Sequence, residues 1–190
     1  MRAHENPFRT SRVQSLRFRE GPSVPGLVAV LRSRGNRGAI VGPEGSGKST
    51  LLREISEHLR SDGSRVRVVR FDDSGSLAAA LVDRDTIWLI DGAERIAPAM
   101  RIALVTVVRQ IVITAHGWAA GLPILFQCQT SVTLLNELLV ELGAPSVSPE
   151  DADGLFRRSD GNLRLVFRSL YDAAAQDFVG AFRARKSTSV

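Results

Sequence analysis

Apolar residues along this chain follow two periods. Five short runs read as strands: Ala39-Ile40-Val41, residues 65–71, residues 86–90, residues 110–114 and residues 122–128. Between them, apolar residues recur three and four apart, as on one face of a helix. A helix is expected over 22–35, with Pro25 near its start and Leu27, Val28 and Leu31 on one face. Another begins near Gly47, carries Leu51, Leu52, Ile55 and Leu59 inward, and closes at Gly63. Weaker helical patterns cover 77–82 and 98–107.

Strands alternating with short helices predict an α/β fold, a doubly wound parallel five-stranded sheet. Past Thr130 only the helical period persists. Residues 132–142 are apolar at helical spacing and stop at Gly143. Ser148-Pro149-Glu150-Asp151 is a helix start, with a capping hydroxyl, proline at the first helical position and acids in the first turn. The last helix opens near Gly161-Asn162-Leu163-Arg164, with Leu163, Val166, Phe167, Leu170, Tyr171 and Ala174 on its apolar face. These segments predict a small C-terminal helical lid. The expected division is an N-terminal arm and helix over 1–37, an α/β core over 38–130, the lid over 131–179 and a polar tail over 180–190. Within the arm, Phe8 stands as an isolated anchor in otherwise polar, arginine-rich sequence.

The chemistry concentrates where the first strand meets its helix. Gly42-Pro43-Glu44-Gly45-Ser46-Gly47-Lys48-Ser49, followed by Thr50, fits G-x-x-x-x-G-K-[ST], the phosphate-binding loop. Glycines let backbone N–H groups converge on an anion, and the helix N-terminus adds partial positive charge. Lys48 is expected to neutralise the β- and γ-phosphates of a nucleotide, and the Ser49 hydroxyl to ligate Mg²⁺. A second landmark is the run Ile87-Trp88-Leu89-Ile90 ending in Asp91, a buried strand that presents a carboxylate at its C-terminal end. Asp91 is expected to hold Mg²⁺ through a water, and so meet the metal that Ser49 ligates, and Glu94 to orient or deprotonate an attacking water. Thr114, at the end of the next strand, can place a hydroxyl near the γ-phosphate; His116 follows it in a loop.

Composition changes this picture little. The net charge of +5 comes almost wholly from arginine, since Lys48 and Lys186 are the only lysines. The arginines are scattered and not interleaved with aromatics, so nucleic acid is a possible partner but not the favoured one. Cys128 is the single cysteine, which rules out an intramolecular disulfide. No apolar run approaches membrane-spanning length, and no hydrophobic signal segment stands near the N-terminus, so no membrane insertion and a cytoplasmic location are expected.

Taken together, the phosphate loop, the acid-tipped third strand, the polar-tipped fourth and a helical lid opening with Gly-Asn-Leu-Arg resemble an AAA+ ATPase; the signal-transduction NTPases with numerous domains share the architecture. The resemblance implies ATP and Mg²⁺ as ligands, Thr114 at the first sensor position, and Arg164 at the second, where a lid arginine answers to the γ-phosphate. Asn6-Pro7-Phe8 resembles the lead-in segment of secretion and transposition helper ATPases, whose chain then runs close to the adenine. Two departures stand out. Gly92 follows Asp91 where the family places its glutamate, and residues 115–121 carry no arginine, which argues against a ring built on an arginine finger. The reading that results is an ATPase that drives or switches a separate protein partner. A non-hydrolysing ATP-dependent switch and a small-molecule or nucleotide kinase are the alternatives. Asp72-Asp73-Ser74-Gly75 also fits the D-x-x-G of GTPases, although no N-K-x-D sequence for guanine accompanies it.

Overall fold

In the computed structural model, the described residues are 6–19, 21–70, 72–144 and 147–187, with the side chains of 74, 76, 77 and 177–187 outside the description. In chain order the elements are α1 (Thr10–Ser15), α2 (Val24–Ser33), β1 (Arg37–Val41), α3 (Lys48–Ser61), β2 (Val66–Arg70), α4 (Ser74–Ala80) and β3 (Ile87–Asp91). A 3₁₀ turn, Ala93–Arg95, leads to α5 (Pro98–Val107), β4 (Ile111–Ala115), β5 (Ile124–Gln127), α6 (Val132–Glu141), α7 (Pro149–Arg158) and α8 (Leu163–Ser187). By packing, the chain divides into two compact units, residues 17–129 and residues 1–16 with 130–190.

The first unit is a sheet of five parallel strands in the order β2-β3-β4-β1-β5. Period-two alternation explains its two covered faces. Ile40, Leu89 and Val112 point to one side, where they pack with Leu27 and Leu31 of α2 and Leu51, Leu52, Ile55 and Leu59 of α3. Ala39, Trp88, Ile90, Ile111 and Ile113 point to the other, against Ala80 of α4 and Leu104, Val105 and Val108 at α5. Burial on both faces gives β1, β3 and β4 their near-continuous apolar sequence, whereas the edge strands β2 and β5 keep exposed positions.

The strand order decides where chemistry collects. β4 lies between β1 and β3, with Ile40 opposite Thr114 and Ile90 opposite Ile113. The C-terminal ends of β3, β4 and β1 are therefore adjacent, and ligands of such sheets bind at that edge.

The second unit is helical. Leu135, Leu138 and Leu139 of α6, Ala152 of α7, and Leu163, Val166, Phe167 and Leu170 of α8 form its core. Ser131 Oγ accepts a hydrogen bond from Leu134 N and caps α6. Ser148 Oγ accepts from Asp151 N, the capping hydroxyl the sequence announced for α7, and donates to Asp151 Oδ2.

Phe8 and Leu16 are buried in this same helical core, so the first residues of the arm pack as part of it. Asn6 is 4% exposed; its Nδ2 donates to the Tyr171 carbonyl at 3.2 Å and its Oδ1 accepts from Phe8 N at 2.9 Å. The arm also forms α1, where its polar sequence suggested no regular element: Val13 and Leu16, three apart, supply an apolar edge hidden among arginines. α8 runs on through Ser187, over most of the stretch expected as a polar tail; residues 188–190 of that tail lie outside the described residues. Among the described residues no helix is long and apolar enough to cross a membrane.

Candidate functional site

β1 ends at Val41, and the chain turns through Gly42–Gly47 before α3 begins at Lys48. The loop's entry is pinned to both neighbouring strands. Gly42 N donates to Ala115 O at 3.2 Å, and Cys128 N donates to Val41 O at 2.7 Å. A Cβ at Gly42 would sit 2.5 Å from the Cys128 carbonyl oxygen and 2.8 Å from Ser46 Oγ, so no side chain fits there. Gly47, at φ 85°, is the N-cap of α3 and makes no side-chain cap, so the first-turn N–H groups of α3 have no side-chain cap from that residue.

Lys48 is only 8% exposed despite its charge. Its Nζ donates to Gly42 O at 2.8 Å and Pro43 O at 2.7 Å, which folds the ammonium back under the loop. Ser46 Oγ donates to Pro43 O at 2.8 Å and stiffens the same turn. Pro43 and Glu44 are exposed at the rim, while Gly45 and Thr50 are half-buried.

Across the gap from α3 stands the tip of β3. Ser49 Oγ donates to Asp91 Oδ1 at 3.0 Å, and Thr114 Oγ1 donates to the same oxygen at 2.8 Å. Thr114 Oγ1 in turn accepts from Gly92 N at 2.8 Å. The structure thus brings Lys48, Ser49, Asp91 and Thr114 together at one strand edge, and turns the Thr114 hydroxyl onto Asp91.

Glu94 lies in the 3₁₀ turn that follows β3, an element with no counterpart in the sequence pattern. Its Oε1 is 3.4 Å from His116 Nε2, and its Oε2 is buried and accepts no hydrogen bond from a described residue. Arg164 belongs to the helical unit, where it is the second residue of α8; it is exposed, and its backbone N donates to Asn162 Oδ1 at 3.1 Å.

Phe18 did not stand out in the sequence. A Cβ at Gly47 would be 3.3 Å from the Phe18 ring, which meets Phe126 edge-on with centroids 5.5 Å apart. Its backbone N donates to Glu54 at 2.8 Å, and Glu54, 8% exposed, is otherwise an unexplained buried acid on α3. The signal was weak, one aromatic in an arginine-rich stretch.

No family model matches the chain, and no curated protein matches it in sequence. Solved structures do match. AMPPCP-bound DnaA from Aquifex aeolicus superposes with a TM-score of 0.55 at 16% identity, over 90% of this chain and 68% of that one. Replication initiator DnaA bound to AMPPCP and single-stranded DNA gives 0.57 at 16% identity, over 92% and 68%. A DNA replication initiation factor gives 0.51 at 17% identity, over 85% and 63%. The fold is that of a P-loop NTPase and resembles the AAA+ ATPases. At this identity the likeness establishes architecture. The chemistry rests on this chain's own residues.

Two fits can be tested on those residues. The loop fits a phosphate, since it runs from β1 into the N-terminus of α3 with glycine at 42, 45 and 47 and the buried Lys48 ammonium held by its carbonyls. The chemistry of the pair fits Mg²⁺, a cation that takes oxygen ligands: Ser49 Oγ and Asp91 Oδ1 meet in a hydrogen bond of 3.0 Å and would hold the ion between α3 and β3. Among the described residues no group of three or more His, Cys, Asp or Glu could hold a metal. A cation here would take its other ligands from phosphate oxygens and water, as Mg²⁺ with a nucleotide does.

Proposed function

We propose that this chain binds MgATP and hydrolyses it to drive or switch a separate protein partner in the cytoplasm. The observation that carries the proposal is the convergence of four side chains at one strand edge: Lys48 beneath the loop, and Ser49 and Thr114 both on Asp91 Oδ1.

In this reading the loop amides of residues 44–49 and the Lys48 ammonium hold the phosphates, with Lys48 exchanging the Gly42 and Pro43 carbonyls for phosphate oxygens. Ser49 and Asp91 position Mg²⁺. The ion they would hold would supply charge neutralisation to the phosphates. Glu94 orients the water that attacks phosphorus: a P–O bond forms to that water, the bond to the ADP oxygen breaks, and the water's proton passes toward Glu94 Oε2. Thr114 senses the γ-phosphate through Asp91, and Arg164 answers to the same group from the helical unit. Gly42, Pro43, Glu44, Gly45, Ser46, Gly47 and Thr50 complete the nucleotide site.

ATP binding and phosphate release by the wild type, Lys48→Ala and Glu94→Gln test the proposal, each with and without single-stranded DNA. Loss of binding in Lys48→Ala, and a fall in turnover of about a hundredfold in Glu94→Gln, are expected. Wild-type turnover by Lys48→Ala would defeat the reading. Stimulation by DNA would bring a nucleic-acid partner, as in the replication initiator bound to single-stranded DNA, into the function.

A non-hydrolysing switch is the second reading, favoured by one feature. The residue after Asp91 is Gly92, and the nearest following acid is placed one 3₁₀ turn further on. Tight ATP binding without phosphate release by the wild type would decide for it.

A further inference from the structure

The tip of β4 continues into His116-Gly117-Trp118, and both side chains of this run return to the turn that carries Glu94. His116 Nε2 lies 3.4 Å from Glu94 Oε1. Two residues on, the Trp118 ring covers the Arg101 guanidinium, with Arg101 Cζ 4.2 Å from the ring centroid. That guanidinium, on a residue only 8% exposed, donates through Nη1 to the Ala93 carbonyl at 3.3 Å. Glu94 is therefore held twice. Arg101, roofed by Trp118, fixes the backbone just before it, and the imidazole holds one carboxylate oxygen.

An ordinary surface ion pair would leave the rest of the carboxylate in water, and such pairs contribute little. Glu94 differs. Its side chain is 21% exposed, and Oε2 is buried without a hydrogen-bond donor from any described residue. Burying an unpaired carboxylate oxygen is costly. Rotation outward would relieve the cost, and the His116 contact at Oε1 opposes that rotation. Oε2 keeps its lone pairs for a donor that arrives from outside the protein.

We infer that His116 is the positioning residue of Glu94: its Nε2, 3.4 Å from Oε1, sets the orientation of the carboxylate so that Oε2 is left for the attacking water. The inference rests on the ATPase reading above and deepens it. His116 touches neither nucleotide nor metal in this assignment. It acts on the rate of the chemical step and not on ATP affinity, since a group that orients the base is felt only once water attacks.

The test is steady-state phosphate release and ATP affinity of the intact chain as wild type, Glu94→Gln, His116→Ala and His116→Gln. His116→Ala should lower kcat about tenfold, the lower end of what loss of an orienting partner costs, with ATP affinity within about twofold. His116→Gln, whose side-chain amide can donate to the same oxygen, should recover most of the loss. Full turnover in His116→Ala beside a dead Glu94→Gln would overturn this inference alone and leave the ATPase reading standing. So would equal losses in His116→Ala and His116→Gln, or a loss that falls on ATP affinity. Wild-type turnover in Glu94→Gln, or none in the wild type, would remove the ATPase reading and the inference with it.

Discussion

Thr114 Oγ1 donates to Asp91 Oδ1 at 2.8 Å and accepts from Gly92 N at 2.8 Å, so one buried hydroxyl ties the acid and the turn after it to β4. A hydroxyl has one proton to give, and here it goes to the carboxylate.

Thr114→Val keeps the shape of this side chain and removes both bonds. It leaves Gly92 N without its acceptor, at a cost of about 1–3 kcal/mol in stability. Asp91 Oδ1 also loses one of the two donors that aim it toward Ser49. Turnover should then need roughly tenfold more Mg²⁺, while Thr114→Ser retains the wild-type Mg²⁺ dependence. A Mg²⁺ titration of phosphate release, read beside urea unfolding, checks this. An unchanged titration in Thr114→Val would separate Thr114 from the metal.

The loop's entry makes a second prediction, with an internal control. Alanine at Gly42 places Cβ 2.5 Å from the backbone oxygen of Cys128, which is fixed because Cys128 N bonds Val41 O. The loop must shift, and Gly42→Ala should abolish ATP binding. Gly63, after α3, has φ of +80°, and a Cβ added there would meet nothing within 4 Å. Gly63→Ala should therefore cost only the backbone strain, about 1–2 kcal/mol, and leave ATP affinity intact. Calorimetric titration with ATP and thermal unfolding distinguish the two.

Much of the fold was legible because the inner strands β1, β3 and β4 are covered on both faces and so read as apolar runs; Trp88 to Ile90 and Ile111 to Ile113 are examples. The phosphate loop was legible because its glycines answer to close backbone approach, a constraint written into residue type. The strand order was not. That β4 separates β1 from β3 depends on pairing between distant segments, and with it the meeting of Thr114 and Asp91. The 3₁₀ turn holding Glu94 is too short to leave a period, and His116 gives no sign in sequence of what it faces. The arm misled in another way. Its arginines suggested a solvated segment, yet Phe8 and Leu16 are enough to dock it in the helical core.

Asp83, in the loop before β3, predicts a pH effect away from the site. Its carboxyl is held below the usual carboxylate range, first by the Thr86 hydroxyl at 2.7 Å and then by the backbone N of Asp85 at 3.0 Å. A depressed folded pKa means stability that is fully present above the unfolded value, about 3.9, and is lost as pH falls through the folded one. Asp83→Asn should lower Tm at neutral pH, and the gap from wild type should narrow as pH falls below the unfolded value. A constant gap from pH 7 to pH 2.5 would show that the charge of Asp83 is not what stabilises the loop.

Arg164 carries the prediction that decides what the helical unit does. It is the second residue of α8, two after Asn162, whose Oδ1 accepts from the backbone N of both Arg164 and Leu165 and so fixes the helix start. If Arg164 answers to the γ-phosphate, its charge discriminates between nucleotides that differ by that group. A charge-assisted bond to phosphate contributes about 1.5–3 kcal/mol, so Arg164→Ala should weaken ATP by roughly tenfold or more and ADP by less than about twofold. Arg164→Lys keeps the charge but not the planar fork, and should fall between. Parallel titrations with ATP and ADP measure the difference directly. Equal losses for both nucleotides would make Arg164 part of general nucleotide affinity, and the link between hydrolysis and the helical unit would have to be sought at another residue.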